Sequence, residues 1–387
     1  MKLRNCVPLY NSCKIIYNRK MSCITPKEYN YVVKKDDAIN FCHRCMTKVG
    51  VCDTQSRDLA NVLITGDYRG HYSHGLNRLE MYVQDIEKNV CSRSGEPVIE
   101  KETVSTALVD GKNLLGPVVG NFAMKLALEK AKKTGTAWVV AHGSNHYGIA
   151  GWYSLMAAQE NMIGLSFTNT SPLVYPTRAK KRCVGTNPLT LAAPSSKVGD
   201  EFVLDMATSA VALGKLEMCR RRGLSIPDGW GADDQGRSTS DPATAIEKGA
   251  LLPLGGEEHT SGYKGFGLGM MVEIVCGILA GSAYGGSIRS WMKTDRPANL
   301  GQCFIAVDPE AFAPGFKERL SDYMKEMRDL PRVEESEPVL VPGDPERNHM
   351  KECEEVGGIR YPLVLIESMN RLADRLQVER MPIFKQL

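Results

Sequence analysis

Thr136-Ala137-Trp138-Val139-Val140-Ala141-His142-Gly143-Ser144-Asn145-His146-Tyr147-Gly148 writes a strand, a polar turn and the start of a helix into thirteen residues. Thr136 to Ala141 is a short apolar run rich in β-branched residues, as a buried strand requires. The small polar residues from His142 onward end it, and a helical pattern begins near Gly148 and runs to Gln159. A second strand, Ile163-Gly164-Leu165-Ser166-Phe167-Thr168, follows directly. Strands alternating with helices of this length predict an α/β fold.

The same reading extends outward in both directions. Helices are expected from Asp36-Asp37, from Asp53 through Ile64 to the loop at Gly66-Asp67, and from Ser73 to Lys88. Thr103 to Val109 alternates as a strand, and Gly116-Pro117 precedes a long helix from Val118 to about Lys133. Further strands are expected at Glu201 to Asp205 and Cys303 to Val307, and helices at Ala210 to Arg221, Gly265 to Ala280 and Glu367 to Leu376. Residues 331–350, rich in Pro and Glu, read as an irregular connection.

With 387 residues, 43% hydrophobic and 24% charged, the chain has the composition of an ordinary globular protein. Its 48 Lys+Arg stand against 45 Asp+Glu, which excludes the concentrated basic footprint of a nucleic-acid binder. No apolar run reaches the roughly 18 residues of a membrane span, so a soluble protein is expected. The 12 cysteines are scattered from Cys6 to Cys353, a distribution suited to reduced, mostly buried thiols in an intracellular protein. Cys42-x-x-Cys45 lies on an apolar helix face with Ile39, Met46 and Val49, and reads as core packing because no second pair follows to complete a zinc site. Lys2, Arg4, Lys14, Arg19 and Lys20 precede the first acidic residue, Glu28. This start reads either as a mitochondrial presequence or as a disordered leader to a cytoplasmic protein whose fold begins near Met21.

The glycine fingerprint of common dinucleotide folds, G-x-G-x-x-G, is missing; Gly265-Phe266-Gly267-Leu268-Gly269 has the wrong spacing and follows Lys264 rather than a strand. Two clusters nevertheless carry chemistry. On a helix opening at Ser73, His74 and Arg78 stand at i and i+4 and share a face. Such a pair suits an α-keto or α-hydroxy acid, because the guanidinium grips a carboxylate bidentately while the imidazole or Ser73 meets the neighbouring oxygen. The plain alternative is a helix cap with a surface His and Arg. The second cluster is Gly143 to Gly148, where His146 follows a strand end and can exchange a hydroxyl proton near neutral pH; a loop histidine that satisfies backbone groups is the competing account. Thr168-Asn169-Thr170-Ser171-Pro172, Gly185-Thr186-Asn187-Pro188 and Asp205-Met206-Ala207-Thr208-Ser209 are small polar loops of the kind that cradle amides or phosphates, or simply turn.

Taken in order, these segments resemble the malate/L-lactate dehydrogenase family, which includes ureidoglycolate, sulfolactate and diketogulonate enzymes. The resemblance rests on Asp67-x-x-Gly70-x-x-Ser73-His74-Gly75-x-x-Arg78, Ser144-Asn145-His146-Tyr147-Gly148, Thr168-Asn169-x-x-Pro172, Gly185-Thr186-Asn187-Pro188, Asp205-Met206-Ala207-Thr208, Ser225-Ile226-Pro227 and Lys264-Gly265-Phe266-Gly267, and spans about residues 25–365. It implies a non-Rossmann mixed sheet with helical N- and C-terminal parts, a homodimer, and an oxidoreductase that interconverts a small 2-hydroxy acid and its 2-keto acid with NAD or NADP. The division it implies is a leader at 1–24, a helical substrate-side unit from 25–110 and 300–387, and a cofactor-binding α/β unit at 111–299. By the same resemblance His146 or His74 transfers the proton, Arg78 and Ser73 hold the substrate, and Thr170, Asp205, Met206, Ala207, Thr208, Lys264 and the looser match Gly343-Asp344 contact the cofactor.

The chain departs from the family at Thr177-Arg178-Ala179-Lys180-Lys181-Arg182, where many relatives carry a Gly-Gly pair. A cofactor phosphate, a second substrate carboxylate and solvent are all open as partners for these cations. Glu257-Glu258-His259 reads as a surface loop insertion. Two other functions compete with the dehydrogenase. A silent ligand-binding homologue has no need of both histidines, Arg78 and Lys264; a metal hydrolase using His71, His74, His142 and His146 lacks carboxylates at ligand spacing.

Overall fold

The computed structural model describes residues 28–291 and 293–387, and the leader expected at 1–24 lies outside them. A seven-stranded sheet runs Val98–Glu102, Thr106–Asp110, Thr136–Ser144, Leu300–Val307, Ile163–Thr168, Leu189–Ala193, Phe202–Met206. Thr106–Asp110 and Thr136–Ser144 are parallel; the other adjacent pairs are antiparallel. The central strand, Leu300–Val307, is buried at every residue but its last and inserts between two strands written more than 130 residues earlier, with Phe304 opposite both Val139 and Ser166. A doubly wound dinucleotide fold needs consecutive parallel strands joined by crossovers. An antiparallel strand at the centre is incompatible with that plan, which accounts for the missing fingerprint. The sheet draws strands from before residue 111 and from after 299 as well as from the stretch between them.

Helices Gly116–Thr134 and Gly151–Gln159 cover one face. The other is covered by Gly262–Glu273 and its continuation Ile274–Ile278, a π-helical segment; Val272, Cys276 and Ala280 pack there on Val140, Phe167, Cys303 and Ile305. Helices Lys35–Lys48, Asp53–Tyr68, Leu79–Glu87 and Leu363–Leu376 build the largest core around Phe41, Met46, Leu63, Leu79 and Ile86. Tyr31–Val33 pairs with Ile359–Tyr361 on one side and Lys385–Gln386 on the other, tying the start of the described chain to its end. Cys42 and Cys45 are fully buried in the helical core, and burial pushes the Cys45 thiol up to about 12. Among the described residues no helix is long and apolar enough to cross a membrane.

Several expectations are corrected. No α-helix opens at Ser73: two 3-10 turns, Tyr72–His74 and Leu76–Arg78, are separated by Gly75, and the α-helix is Leu79–Glu87. Gly75 packs so closely on the buried Asp67 that an added Cβ would lie 1.8 Å from its Oδ1, so tertiary contact overrides the helical pattern. Residues 331–350 are not wholly irregular, since a helix begins at Asp344 and runs to Val356. The loop after Asp205 does not lead straight into a helix N-terminus; the next helix is Leu213–Arg221. Strands Val98–Glu102 and Leu189–Ala193 and helix Phe316–Arg328 carried no expectation.

Helix Gly116–Thr134 starts against the loop that carries His146. A Cβ at Gly116 would sit 2.3 Å from the carbonyl oxygens of both Asn145 and His146. Gly116→Ala should therefore cost about 1–3 kcal/mol as overpacking and displace His146. Thermal unfolding and turnover should fall together; unchanged values for both would refute the close approach.

Candidate functional site

The strand Thr136–Ser144 delivers His146 through a turn held by buried hydrogen bonds, although Asn145 Oδ1 is buried without a partner among the described residues. Ser144 Oγ donates to Gln302 Oε1 (2.9 Å), and Gln302 Nε2 donates to the Asn145 carbonyl (3.0 Å). Asn145 Nδ2 donates to the Leu114 carbonyl (2.8 Å). Gly148 then takes φ +78°, and its missing Cβ makes room for Val62. Several buried hydrogen bonds converging on one turn hold its side chains in place.

The second wall is shaped by Asp67. Its Oδ2 accepts from the Leu76 N–H and the Tyr361 hydroxyl, both at 2.8 Å, which pins the two turns that present Ser73, His74 and Arg78. Burial raises the Asp67 carboxyl to about 7 against the pull of those two bonds.

Both walls meet at the histidines. The rings of His74 and His146 stack with centroids 5.8 Å apart and planes 13° from parallel. Ser73 Oγ and His74 Nδ1 share a hydrogen bond of 2.8 Å, and Arg78 Nε donates to the Ser73 carbonyl (2.6 Å). On the far side the Tyr82 hydroxyl lies 2.5 Å from His146 Nδ1 and 3.2 Å from the His146 carbonyl, while the Gly148 N–H approaches the same Nδ1 at 3.3 Å. The Nε2 of His146 is thus the ring nitrogen left for a ligand.

Ser73, His74, Arg78 and His146 line a cleft of about 380 Å³, within the range of small-molecule sites, with Tyr82 buried behind His146. Burial, then the nearby Arg78 charge, lowers His146 to about 3. Burial, followed by His146, Arg78 and His71, drives His74 well below its ordinary value. Among the described residues no carboxylate oxygen comes within 4.0 Å of the Arg78 guanidinium. Arg289, which also lines the cleft, is instead paired with Asp85 at 2.9 and 3.1 Å.

Of the residues expected to touch a cofactor, Thr170, Asp205, Met206 and Ala207 line the cleft. Thr208 stands behind them, donating to the Thr186 and Asn187 carbonyls. Lys264 lies exposed on the first turn of Gly262–Glu273, away from the lining. Gly343 and Asp344 are also elsewhere: Asp344 binds Arg328 and Arg347, both at 2.6 Å. Burial would raise that carboxyl, but the two guanidinium bonds bring it down to about 2.

The two arginines of the cationic stretch before the Gly185 turn are paired within the protein. Arg178 grips Glu258 at 2.6 and 2.8 Å, and Arg182 donates to the carbonyls of Ile246 and Gly249 at the end of helix Pro242–Glu247. The expected insertion at Glu257-Glu258-His259 is thereby anchored.

Sequence reasoning missed Tyr82, Asp85, Arg289 and Trp291. Tyr82 and Asp85 had a signal, since both fall on the buried side of Leu79–Glu87 with Leu79, Val83 and Ile86. Arg289 and Trp291 sit in a loop with no local pattern.

The family model described as malate/L-lactate dehydrogenase matches residues 33–370. A malate dehydrogenase of Pyrococcus horikoshii is 42% identical over 90% of this chain and 97% of its own. A malate/(S)-sulfolactate dehydrogenase of Methanothermus fervidus is 37% identical over 90% of this chain and 99% of its own. The solved structure of the Pyrococcus horikoshii malate dehydrogenase superposes with a TM-score of 0.85 at 38% identity, covering 92% of this chain and 99% of that one.

Proposed function

The chain belongs to the malate/L-lactate dehydrogenase family, and on that premise we propose that it interconverts a small malate- or lactate-like 2-hydroxy acid and its 2-keto acid with NAD or NADP. One observation carries the reading: Arg78, with no carboxylate within 4.0 Å among the described residues, stands beside the two stacked imidazoles in one cleft. A cation partly withdrawn from water favours a ligand that brings an anion to it.

Arg78 holds the substrate carboxylate in its fork. His146 takes the hydroxyl proton on Nε2 during oxidation and returns it during reduction. Acceptance on Nε2 requires the Nδ1–H tautomer, in which the Tyr82 hydroxyl accepts from Nδ1–H and donates to the His146 carbonyl. Ser73 orients His74 from below. The opposite wall fits a nicotinamide group. Thr170 and Thr186 bring their hydroxyls within 3.3 Å of each other, the missing Cβ of Gly185 lets Thr170 and Asn187 pack against that turn, and Pro188, Met206, Ala207 and Leu254 form an apolar bed. When bound, that group supplies the acceptor or donor of the hydride. A homodimer is part of the same reading; its support is the outer face of Gly262–Ile278, where Tyr263, Met270, Met271, Ile274 and Ile278 are exposed together. A monomer mass by light scattering would remove it.

The test is absorbance at about 340 nm, where reduced nicotinamides absorb, with NADH or NADPH and a panel of 2-keto acids. Oxidation of the cofactor by a malate- or lactate-type keto acid is expected; silence with every acid and both cofactors would sink the reading.

The lowered histidines also set a pH signature. A base that is neutral in the free protein is already in its working form, so kcat/KM for oxidation should stay flat from about pH 7.5 to about pH 5.5. Reduction needs the scarce protonated form, so its kcat/KM should rise about tenfold per pH unit of acidification over the same range. A break near pH 6.5 in both directions would return His146 to an ordinary histidine. Stability follows the same sign: the unfolded chain takes up the proton first, so the contribution of a neutral His146 is lost as pH falls from about 6.5 toward 3.

A further inference from the structure

The loop that follows the helix Gly262–Ile278 returns across the mouth of the cleft and is tied to the helix Leu79–Glu87 and its flanks at three points. Arg289 makes its bidentate pair with Asp85, both side chains under a tenth exposed. Lys88 Nζ donates to Thr294 Oγ1 at 2.5 Å. Trp291 lays its ring over the Arg78 guanidinium, 4.6 Å from Cζ to the ring centroid. The loop is held from the opposite wall too, since Ser171 Oγ donates to the Arg289 carbonyl at 2.6 Å. Arg289 therefore bridges both walls, and Trp291, two residues on, is delivered to Arg78 from a doubly anchored base.

Consider what holds the Arg78 fork in place. Its Nε is bound to the Ser73 carbonyl, which fixes one edge of the guanidinium but leaves the plane free to rotate about that bond. No carboxylate among the described residues takes the other edge. The Trp291 ring packed on the guanidinium restricts that rotation, and in a partly desolvated site the cation–π contact competes with solvation of the cation. Bidentate capture of a carboxylate demands a set plane, so preorganising it acts on substrate binding rather than on the hydride or proton steps.

We propose that Trp291 is a positioning residue for the substrate carboxylate, acting through Arg78, with the Asp85–Arg289 pair as the anchor that places it. This rests on the reading of Arg78 as the carboxylate clamp.

The experiment is steady-state reduction of oxaloacetate and of pyruvate with NADH and NADPH by the full chain, its variants Trp291→Ala, Trp291→Phe and Arg78→Lys, and the double variant Arg78→Lys/Trp291→Ala. Trp291→Ala should raise KM for the keto acid about tenfold, with kcat within about threefold and the cofactor KM unchanged. Trp291→Phe, which keeps an aromatic face, should recover to within about threefold of the parent. The double variant should be little worse than Arg78→Lys alone, because both remove the same oriented fork. Should Trp291→Ala not fold by circular dichroism, Trp291→Leu keeps the bulk without the π face and must show the same KM rise. An unchanged KM, a Phe variant no better than Ala, or effects that multiply in the double variant would each overturn the proposal. An Arg78→Lys variant with unaltered KM, or no turnover of either acid, would instead bring down the clamp reading itself and this inference with it.

Discussion

His146→Ala should lower kcat in both directions by about a hundredfold to ten-thousandfold, the range that a positioned acid–base group supplies. The size follows from how little can replace it. The Nε2 edge is the one nitrogen of that ring not engaged by Tyr82 or Gly148. His74 lies parallel to it, with Nδ1 bound to Ser73. A water admitted by the alanine would be a far weaker base than a fixed imidazole. Binding of the acid depends on Arg78, so KM should move much less than kcat. The matching His74→Ala variant decides between the two histidines. If it abolishes turnover while His146→Ala keeps most of it, the proton travels through His74 and the assignment is reversed.

Arg78→Lys should raise KM for the acid about tenfold to a hundredfold while changing kcat less. Each charge-assisted hydrogen bond contributes about 1.5–3 kcal/mol, and an ammonium makes one directed contact where the fork makes two. Lysine also cannot reproduce the bond from Nε to the Ser73 carbonyl, so the turn that carries His74 loses a tether. Steady-state kinetics at fixed saturating cofactor checks it, and an unchanged KM would remove Arg78 from the substrate site.

Much of the fold was legible because its strands are short apolar runs bounded by turns. Thr136 to Ala141, Ile163 to Thr168, Glu201 to Asp205 and Cys303 to Val307 all lie within or overlap observed strands. Val98–Glu102 was not, because the edge strand Val-Ile-Glu-Lys-Glu is exposed throughout and has no alternation to detect. The helix expected at Ser73 failed for a different reason. Its residues have a helical period, but Gly75 is pressed onto the buried Asp67, a contact that periodicity does not encode.

Residue chemistry and spacing along the chain by themselves determined the fold class, the two histidine clusters and Arg78 as the groups worth testing, because strand periodicity, turn residues and ordered motifs are local properties. Which of those groups share a cleft was decided only by tertiary structure. Leu300–Val307 inserts antiparallel between two early strands, and through Gln302 it fastens the turn that presents His146. Asp67 bends the Ser73 turns toward that histidine, while Arg328 and Arg347 draw Asp344 into an ion cluster away from it. The loop of Arg289 and Trp291 reaches Arg78 from more than 200 residues away. These contacts depend on burial and, for Gln302, Arg289 and Trp291, on pairing between segments more than 150 residues apart, which periodicity and motif spacing do not record.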